Sequence, residues 1–202
     1  MIRACLFDIG NVLVTFDYSR TFAAIAKRSA RTFAEIHTHL SEVCGSLETG
    51  RLSSADFVTR GVEFIGGGVS REEFEEAFTG IFEPIQPVWK TLEQFTQKVP
   101  TWLFSNTSEL HEQWLLQQYP GFACFSGGFF SWRLGVMKPD PGIYELALGV
   151  LGLPANEIAY IDDLPANIET GQSLGFHCHQ YDRTRHGDLQ RFLSGCGISD
   201  CG

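Results

Sequence analysis

The chain has 202 residues, 44% of them hydrophobic, and a formal net charge of −9 at pH 7. This length suits one domain, or a core domain with a smaller insertion, and the hydrophobic share is large enough for a packed core. The acidic balance argues against a nucleic-acid partner, because binding to a phosphate backbone requires basic patches.

The N-terminal residues show no signal-peptide pattern, and no apolar run is long enough to span a membrane. None of the six cysteines belongs to a C-x-x-C pair. These features predict a cytoplasmic protein with reduced thiols and no membrane partner. Cys5 and Cys124 have apolar neighbours, which predicts core positions for both. His177-Cys178-His179 does not predict a metal site, because alternate strand residues point to opposite faces.

The first strand is predicted by an apolar run that ends abruptly in Asp8, followed by Gly10 and Asn11. This pattern is typical of a buried parallel strand whose end carries a carboxylate into a glycine-containing turn. In open α/β sheets, ligands bind just outside the carboxyl ends of the strands. Asp8 is therefore a candidate nucleophile or metal ligand.

Residues 20–82 are predicted to be helical and to contain no strand. Three helix-start patterns, at Thr32, Ser53 and Ser70, precede apolar residues at helical spacing. Loops are predicted at 44–51 and 66–68. We therefore expect a small helical bundle between the first strand and the rest of the chain.

Strands and helices alternate after a proline-containing linker at 83–87. Alternation of this kind predicts an α/β fold with a parallel sheet covered by helices on both faces. Further strands are predicted at 101–104, 122–126, 158–161 and 176–180. A last helix is predicted over 186–193, and the tail over 194–202 is expected to be loose.

Polar residues follow several of these strands, and a lysine precedes one helix. The set is Asp8, Gly10, Asn11, Ser105, Asn106, Lys138, Asp162 and Asp163. Two carboxylates from separate strands can hold Mg²⁺, which prefers oxygen ligands. A hydroxyl, backbone amides and a lysine can neutralise phosphate oxygens, and Asp8 can attack phosphorus. Taken singly, Ser105 and the Asp162-Asp163 pair are more typical of helix caps or turns, and Lys138 is more typical of a solvated surface residue. Their joint order at strand ends favours a functional site.

Four stretches resemble the motifs of the haloacid dehalogenase-like hydrolase superfamily. They are Phe7–Leu13, Phe104–Thr107, Gly135–Pro141 and Tyr160–Asp163, and the resemblance extends over residues 2–195. Ser131–Tyr144 and Gly50–Phe57 are also similar to the branch that contains phosphatases of the α-glucose-1-phosphate phosphatase type. The resemblance implies a Rossmann-like core, 1–16 and 87–202, and a helical cap, 17–86.

The resemblance also implies an activity, namely a Mg²⁺-dependent phosphatase acting on a small phosphorylated metabolite, with a sugar phosphate as the expected substrate. Asp8 would be the nucleophile and a metal ligand, with the Gly10 carbonyl and the Asp162 side chain. Asp163 would ligate the metal directly or lie close to its ligands. The enzyme is expected to be a monomer or a weak dimer.

The phosphoryl group would be bound by Ser105 and Lys138, with Asn106 beside Ser105. Lys138 would also take part in catalysis. The same resemblance implies that Asn167 braces the fourth motif.

One position departs from the superfamily pattern. Most of its phosphatases carry a second Asp two places after the nucleophile, where this chain has Gly10. A general acid or base typically contributes about 10²–10⁴-fold, so the identity of the acid stays open. Without it, the rate is expected to depend steeply on leaving-group pKa, which favours a sugar 1-phosphate over a 6-phosphate.

Two alternatives remain at this point. A 2-haloacid dehalogenase would attack carbon through Asp8 and release halide without a proton, but it needs no Mg²⁺ and would leave the Asp162-Asp163 pair idle. A non-catalytic regulatory protein on the same fold is supported by Gly10 alone.

Overall fold

The structure is a computed structural model that describes residues 1–66, 68–96 and 98–198. In chain order its strands are β1 (Ala4–Phe7), β2 (Val14–Phe16), β3 (Phe82–Pro84), β4 (Thr101–Ser105), β5 (Gly128–Phe130), β6 (Ile158–Asp162) and β7 (His177–Gln180).

Helices alternate with these strands or are grouped between β2 and β3. They are α1 (Ser19–Ala26), α2 (Phe33–Leu47), α3 (Ser54–Ile65), α4 (Arg71–Thr79), α5 (Gln86–Phe95), α6 (Glu109–Gln118), α7 (Ser131–Leu134), α8 (Pro141–Leu151), α9 (Pro165–Ser173) and α10 (His186–Gly195). Within the described ranges, no helix is long and apolar enough to cross a membrane.

The central sheet is parallel, with the strand order β5-β4-β1-β6-β7. β1 is a continuous apolar run and is buried along its whole length, as expected for a strand with helices on both sides. Its Phe7 joins the hydrophobic cluster on one face, and its Leu6 joins the cluster on the other. The predicted α/β fold is confirmed.

The strand order reverses next to β1, because β4 and β5 lie on one side of it and β6 and β7 on the other. Ligand sites of open α/β sheets lie at the carboxyl ends of the strands at this point. Asp8 follows β1 and Asp162 ends β6, so the fold brings two of the predicted site residues to one crevice.

Helices α1 to α4 form a bundle with a hydrophobic cluster of its own. Its centre is aromatic, and Phe22, Phe57, Phe74 and Phe78 are each at most 1% exposed. The rings of Phe57 and Phe78 lie with centroids 4.6 Å apart. The division of the chain into a core and a cap at residues 16/17 and 86/87 stays a prediction.

The three predicted helix starts in the bundle are confirmed. The side chains of Thr32, Ser53 and Ser70 each accept a hydrogen bond from the backbone N–H three residues later. Each such cap stabilises its helix by about 1 kcal/mol relative to alanine. Helix α2 is longer than expected, since it runs to Leu47 through part of the predicted 44–51 loop.

Strands β2 and β3 form a two-stranded antiparallel ribbon. β2 lies where the chain leaves the central sheet, and β3 lies where the chain returns to it. Val14 pairs with Pro84, and Phe16 pairs with Phe82. The prediction that residues 20–82 contain no strand is wrong at residue 82, where β3 begins. Strands of three residues are too short to show the alternation by which a sequence reveals them.

The strand predicted at 122–126 is wrong. A 3-10 helix, Pro120–Cys124, occupies this stretch, and the strand follows at Gly128–Phe130. Gly127 adopts a φ of 157° and its carbonyl accepts from the N–H of Leu103, which starts the pairing later than the apolar run suggested. Cys124 is consequently exposed rather than part of the core, whereas Cys5 is fully buried as predicted.

The C-terminal tail is more ordered than predicted as far as it is described. Helix α10 continues to Gly195, and Ile198 is only 4% exposed because it packs into the cluster beneath the sheet. The prediction for residues 199–202 lies outside the described residues.

His111 of α6 links the sheet to the helical bundle. It is 5% exposed, its Nε2 lies 3.0 Å from the Phe78 carbonyl oxygen, and its ring stacks on that of Phe78 with centroids 4.2 Å apart. Burial lowers the pKa of His111 from 6.5 to about 4.

Acidification is therefore expected to weaken the fold through His111. Between pH 6.5 and 4 the unfolded chain binds this proton and the folded chain does not, so stability present above pH 6.5 is lost as the pH falls. We expect a loss of about 2 kcal/mol between pH 7 and pH 5. Urea unfolding of wild type and His111→Gln at both pH values measures it; an equal loss in both would contradict the assignment.

Candidate active site

Asp8 stands at the centre of the crevice, one residue beyond β1. Its N–H donates to the Ile161 carbonyl at 2.9 Å, so it continues the ladder between β1 and β6 and is held in place by backbone. Asp8 is 7% exposed. Burial raises the pKa of its carboxyl to about 7, and the nearby ammonium of Lys138 opposes the rise.

Lys138 is buried between two carboxylates. Its Nζ lies 3.0 Å from Oδ1 of Asp8 and 2.6 Å from Oδ2 of Asp162, and it donates to the Phe104 carbonyl at 2.6 Å. Burial disfavours the ammonium, but the two carboxylates outweigh burial and raise the pKa of Lys138 above its ordinary value. The lysine is therefore a fixed positive charge inside the crevice, not the solvated surface residue that its position alone suggested.

Asp162 is fully buried, and both of its carboxylate oxygens are surrounded by donors. Oδ1 accepts from the N–H of Leu164 and from Nδ2 of Asn167. Oδ2 accepts from Lys138, from the Tyr160 hydroxyl at 2.5 Å and from Nδ2 of Asn167. Asp162 thus orients Lys138, and Asn167 braces the pair.

Asp163 directly follows β6 and is partly exposed. Its Oδ2 accepts from Nδ2 of Asn11 at 3.1 Å. Asn11 adopts a φ of 52°, a left-handed conformation that asparagine tolerates better than most residues. The turn after β1 is therefore tied directly to the end of β6.

Ser105 and Asn106 end β4 beside the crevice. The Ser105 hydroxyl is buried, and its hydrogen bond to the Asn106 carbonyl is long, at 3.4 Å. The Asn106 side chain holds Lys138 by the backbone: Nδ2 donates to the Lys138 carbonyl and Oδ1 accepts from the Lys138 N–H, both at 2.8 Å. The crevice thus offers a weakly engaged hydroxyl, and the asparagine fixes the lysine.

Two adjoining cavities open onto these residues. The first, here called the polar cavity, has a volume of about 280 Å³ and contains Asp8, Lys138 and Asp163. The second, here called the aromatic cavity, has a volume of about 250 Å³ and contains Tyr18 and Phe82. The residues that line both are Gly10, Phe16, Glu48, Ser105 and Asn106.

Gly10 leaves open the space that a side chain would fill. A Cβ added there would lie 3.2 Å from Cε1 of Phe16, a ring that is itself 45% exposed. The φ of Gly10 is not among the positive values, so the backbone conformation does not demand glycine. Phe16 thus borders the position at which an acidic residue was expected from the superfamily pattern.

The donor set at the crevice fits a hard divalent cation. Carboxylate oxygens of Asp8, Asp162 and Asp163 all lie within 4.8 Å of one another. Of the three, only Asp8 and Asp163 line the polar cavity. Three acidic groups crowd a site with one buried lysine, and burial raises the pKa of Asp163 as well as that of Asp8. A bound cation would relieve this cost.

Comparison with known proteins identifies the family. The model of the haloacid dehalogenase-like hydrolases matches residues 2–175. The chain belongs to this family and is a hydrolase, which confirms the family predicted from the four motifs. The branch of α-glucose-1-phosphate phosphatases stays a prediction.

One relative by sequence is a D-ribitol-5-phosphate phosphatase of Bacteroides thetaiotaomicron. It is 26% identical over 198 residues, which cover 89% of this chain and 92% of the relative. The family match and this likeness over nearly full length support the prediction of a phosphoric monoester hydrolase.

Solved structures share the fold. A HAD family enzyme of Bacteroides thetaiotaomicron, in complex with magnesium and inorganic phosphate, has a TM-score of 0.79 at 23% identity and covers 91% of this chain and 96% of its own. A HAD-like hydrolase of Porphyromonas gingivalis has a TM-score of 0.77 at 27% identity and covers 96% of this chain and 98% of its own. An L-2-haloacid dehalogenase of Xanthobacter autotrophicus has a TM-score of 0.65 at 18% identity and covers 99% of this chain and 85% of its own.

Three residues at the cavities escaped sequence analysis. Phe16 lies on β2, Tyr18 precedes α1, and Glu48 directly follows α2. No local pattern marks them, and only the packing of the bundle against the sheet brings them to the site.

Proposed function

We propose that the chain is a Mg²⁺-dependent phosphatase of a small phosphorylated metabolite, with a sugar or sugar-alcohol phosphate as substrate. The observation that carries the proposal is the buried Lys138 ammonium, held between Asp8 and Asp162 at the wall of the polar cavity. A lysine in this place can neutralise phosphoryl oxygens directly beside a carboxylate nucleophile. The relative that acts on D-ribitol 5-phosphate supports the substrate class.

The reaction begins with attack by an Asp8 carboxylate oxygen on phosphorus, which gives an aspartyl phosphate and releases the alcohol. Lys138 and the weakly engaged hydroxyl of Ser105 bind the phosphoryl oxygens. Water then attacks the phosphorus, and inorganic phosphate leaves. We also propose that the enzyme works in the cytoplasm as a monomer or weak dimer.

The metal would be held by Asp8, by the backbone carbonyl of Gly10 and by Asp163, because these line the polar cavity. Mg²⁺ supplies a positive charge that stabilises phosphoryl oxygens and favours the ionised nucleophile. Asp162 was expected to be a direct ligand. Its oxygens are engaged by four donor groups, so we propose that it holds Lys138 instead.

A substrate panel tests the proposal. Phosphorylated sugars and polyols, together with 2-chloropropionate, are assayed with Mg²⁺ and with excess EDTA. We expect phosphate release from at least one ester, abolished by EDTA and restored by Mg²⁺. Halide release that persists in EDTA would identify a dehalogenase, and no turnover of any compound would favour the regulatory alternative.

Asp163→Ala is expected to raise the Mg²⁺ concentration for half-maximal activity, because it removes a hard oxygen ligand from the cavity. Asp162→Asn should change that concentration less, but should lower the thermal midpoint because it disturbs the partner of Lys138. Mg²⁺ titrations of activity and melting curves of both variants measure the two effects. If Asp162→Asn has the larger effect on the Mg²⁺ requirement, the roles assigned to the two residues are reversed.

A further inference from the structure

The phosphorus–oxygen bond of a bound phosphate ester would be cleaved at the boundary between the two cavities. The polar cavity is lined by the nucleophile Asp8 and the phosphate-binding Lys138, and the aromatic cavity, which shares five residues with it, offers space for the rest of the substrate. The bridging oxygen joins the phosphorus to that remainder. It must therefore lie beside the residues that line both cavities.

Glu48 is the residue at this boundary that can donate a proton near neutral pH. Its companions there, apart from glycine and phenylalanine, are a serine and an asparagine, Ser105 and Asn106. Glu48 is half-buried, and within the described parts of the chain its carboxyl makes no hydrogen bond or ion pair. A carboxyl placed at a cavity wall without a partner is free to act on a ligand.

The turn that carries Glu48 packs against helix α7, which directly follows β5. Gly50 has a φ of 66°, and a Cβ added to it would lie 2.3 Å from the Trp132 carbonyl oxygen. Trp132 is in turn fixed by its indole N–H, which donates to Glu112 at 2.7 Å. The close approach at Gly50 holds the end of α2, and with it Glu48, at the crevice.

The surroundings of Glu48 favour the protonated form of its carboxyl more than water does. Burial raises the pKa of Glu48 to about 6. The titratable groups around it are Tyr18, Cys44 and His111 in the aromatic cavity and Asp8, Lys138 and Asp163 in the polar one.

We propose that Glu48 is the general acid of the reaction and replaces the carboxyl that Gly10 lacks. This inference rests on the proposed phosphatase function. As the bond from Asp8 to phosphorus forms, the bond from phosphorus to the leaving oxygen breaks and Glu48 donates its proton to that oxygen. Water then attacks the aspartyl phosphate and gives a proton to the Glu48 carboxylate, which restores the acid.

This role changes the expected substrate range. With an acid at the boundary, the wild type can expel a poor leaving group such as a primary alkoxide. The preference for 1-phosphates, expected when the acid is absent, then loses its basis, and a polyol phosphate becomes a suitable substrate.

The test compares two esters at saturating Mg²⁺, an alkyl monophosphate and a nitroaryl monophosphate whose phenolate leaves without a proton. Wild type, Glu48→Gln and the control Glu42→Gln are assayed, because Glu42 is an exposed residue of α2, the helix that Glu48 follows, and lies outside both cavities. The readout is kcat/KM, because it covers the steps up to phosphoryl transfer.

We expect Glu48→Gln to lower kcat/KM on the alkyl ester by about 10²–10⁴-fold and on the aryl ester by less than about tenfold. Glu42→Gln should match the wild type. Glu48→Asp, which keeps the acid on a shorter arm, should lose less on the alkyl ester than Glu48→Gln, and melting curves verify that each variant is folded.

Equal losses on both esters, or no loss on either, would overturn the assignment of Glu48 while leaving the phosphatase function intact. A wild type that releases phosphate from neither ester, nor from the metabolite panel, would overturn the function and this inference together.

Discussion

Asp8→Asn is expected to lower turnover by about 10⁴–10⁶-fold, as the loss of a covalent nucleophile does in other hydrolases. The amide has the shape of the carboxylate but cannot attack phosphorus to form the acyl phosphate. It is also a weaker ligand for a hard cation. Single-turnover and steady-state assays of phosphate release measure the loss.

The fold of Asp8→Asn should stay intact. Lys138 retains its 2.6 Å ion pair with Asp162, and the N–H of residue 8 still donates to the Ile161 carbonyl. Because burial raises the pKa of Asp8, its charge disfavours the folded state above the ordinary carboxyl range, so removing that charge should not destabilise the metal-free protein. Asp8→Asn turnover near that of the wild type would refute the nucleophile assignment.

Lys138→Met is expected to damage both stability and activity. Its removal leaves the Asp162 carboxylate fully buried without its cationic partner, which costs about 3–5 kcal/mol. It also removes a positive charge from the site of phosphoryl transfer, worth about 10²–10³-fold in kcat. Urea unfolding and steady-state kinetics measure the two effects separately.

The double variant Lys138→Met/Asp162→Asn separates these two roles. With neither charge present, Asp162 no longer leaves an isolated buried carboxylate, and the part of the lost stability that it caused should return, although Asp8 stays without its lysine. Activity should not return, because the lysine ammonium that binds the phosphoryl oxygens is still missing. A single Lys138→Met variant as stable as the wild type would show that the ion pair does not support the fold.

Local sequence patterns were sufficient to place the strand ends that carry Asp8, Ser105 and Asp162. Each follows a run of apolar residues of strand length, and the burial of β1, β4 and β6 confirms that these runs lie within the sheet. The same holds for the helix starts of the bundle, since the hydrogen bonds that cap a helix connect residues only three positions apart. Information of this range is fully contained in a short stretch of sequence.

Local sequence patterns did not place the short strands correctly. The apolar stretch 122–126 had the composition of a strand, but the pairing with β4 begins with Leu103 opposite Gly128, and the Leu103 N–H donates to the Gly127 carbonyl. The β2–β3 ribbon likewise depends on a partner 66 or more residues away. An apolar run predicts burial, and only the partner decides which residues form the ladder.

Within the site, the sequence by itself determined which acidic and basic groups are present, and the tertiary structure decided what each one faces. Asp162 and Asp163 are neighbours whose carboxylate oxygens lie within 4.8 Å of each other, but Asp162 is fully buried against Lys138, whereas Asp163 is partly exposed and lines the cavity. Glu48 lies 40 residues from Asp8 and reaches the cavity wall because the chain of the bundle packs at Gly50 against Trp132 of α7. A side chain's neighbours across the fold are set by packing, which no local stretch of sequence records.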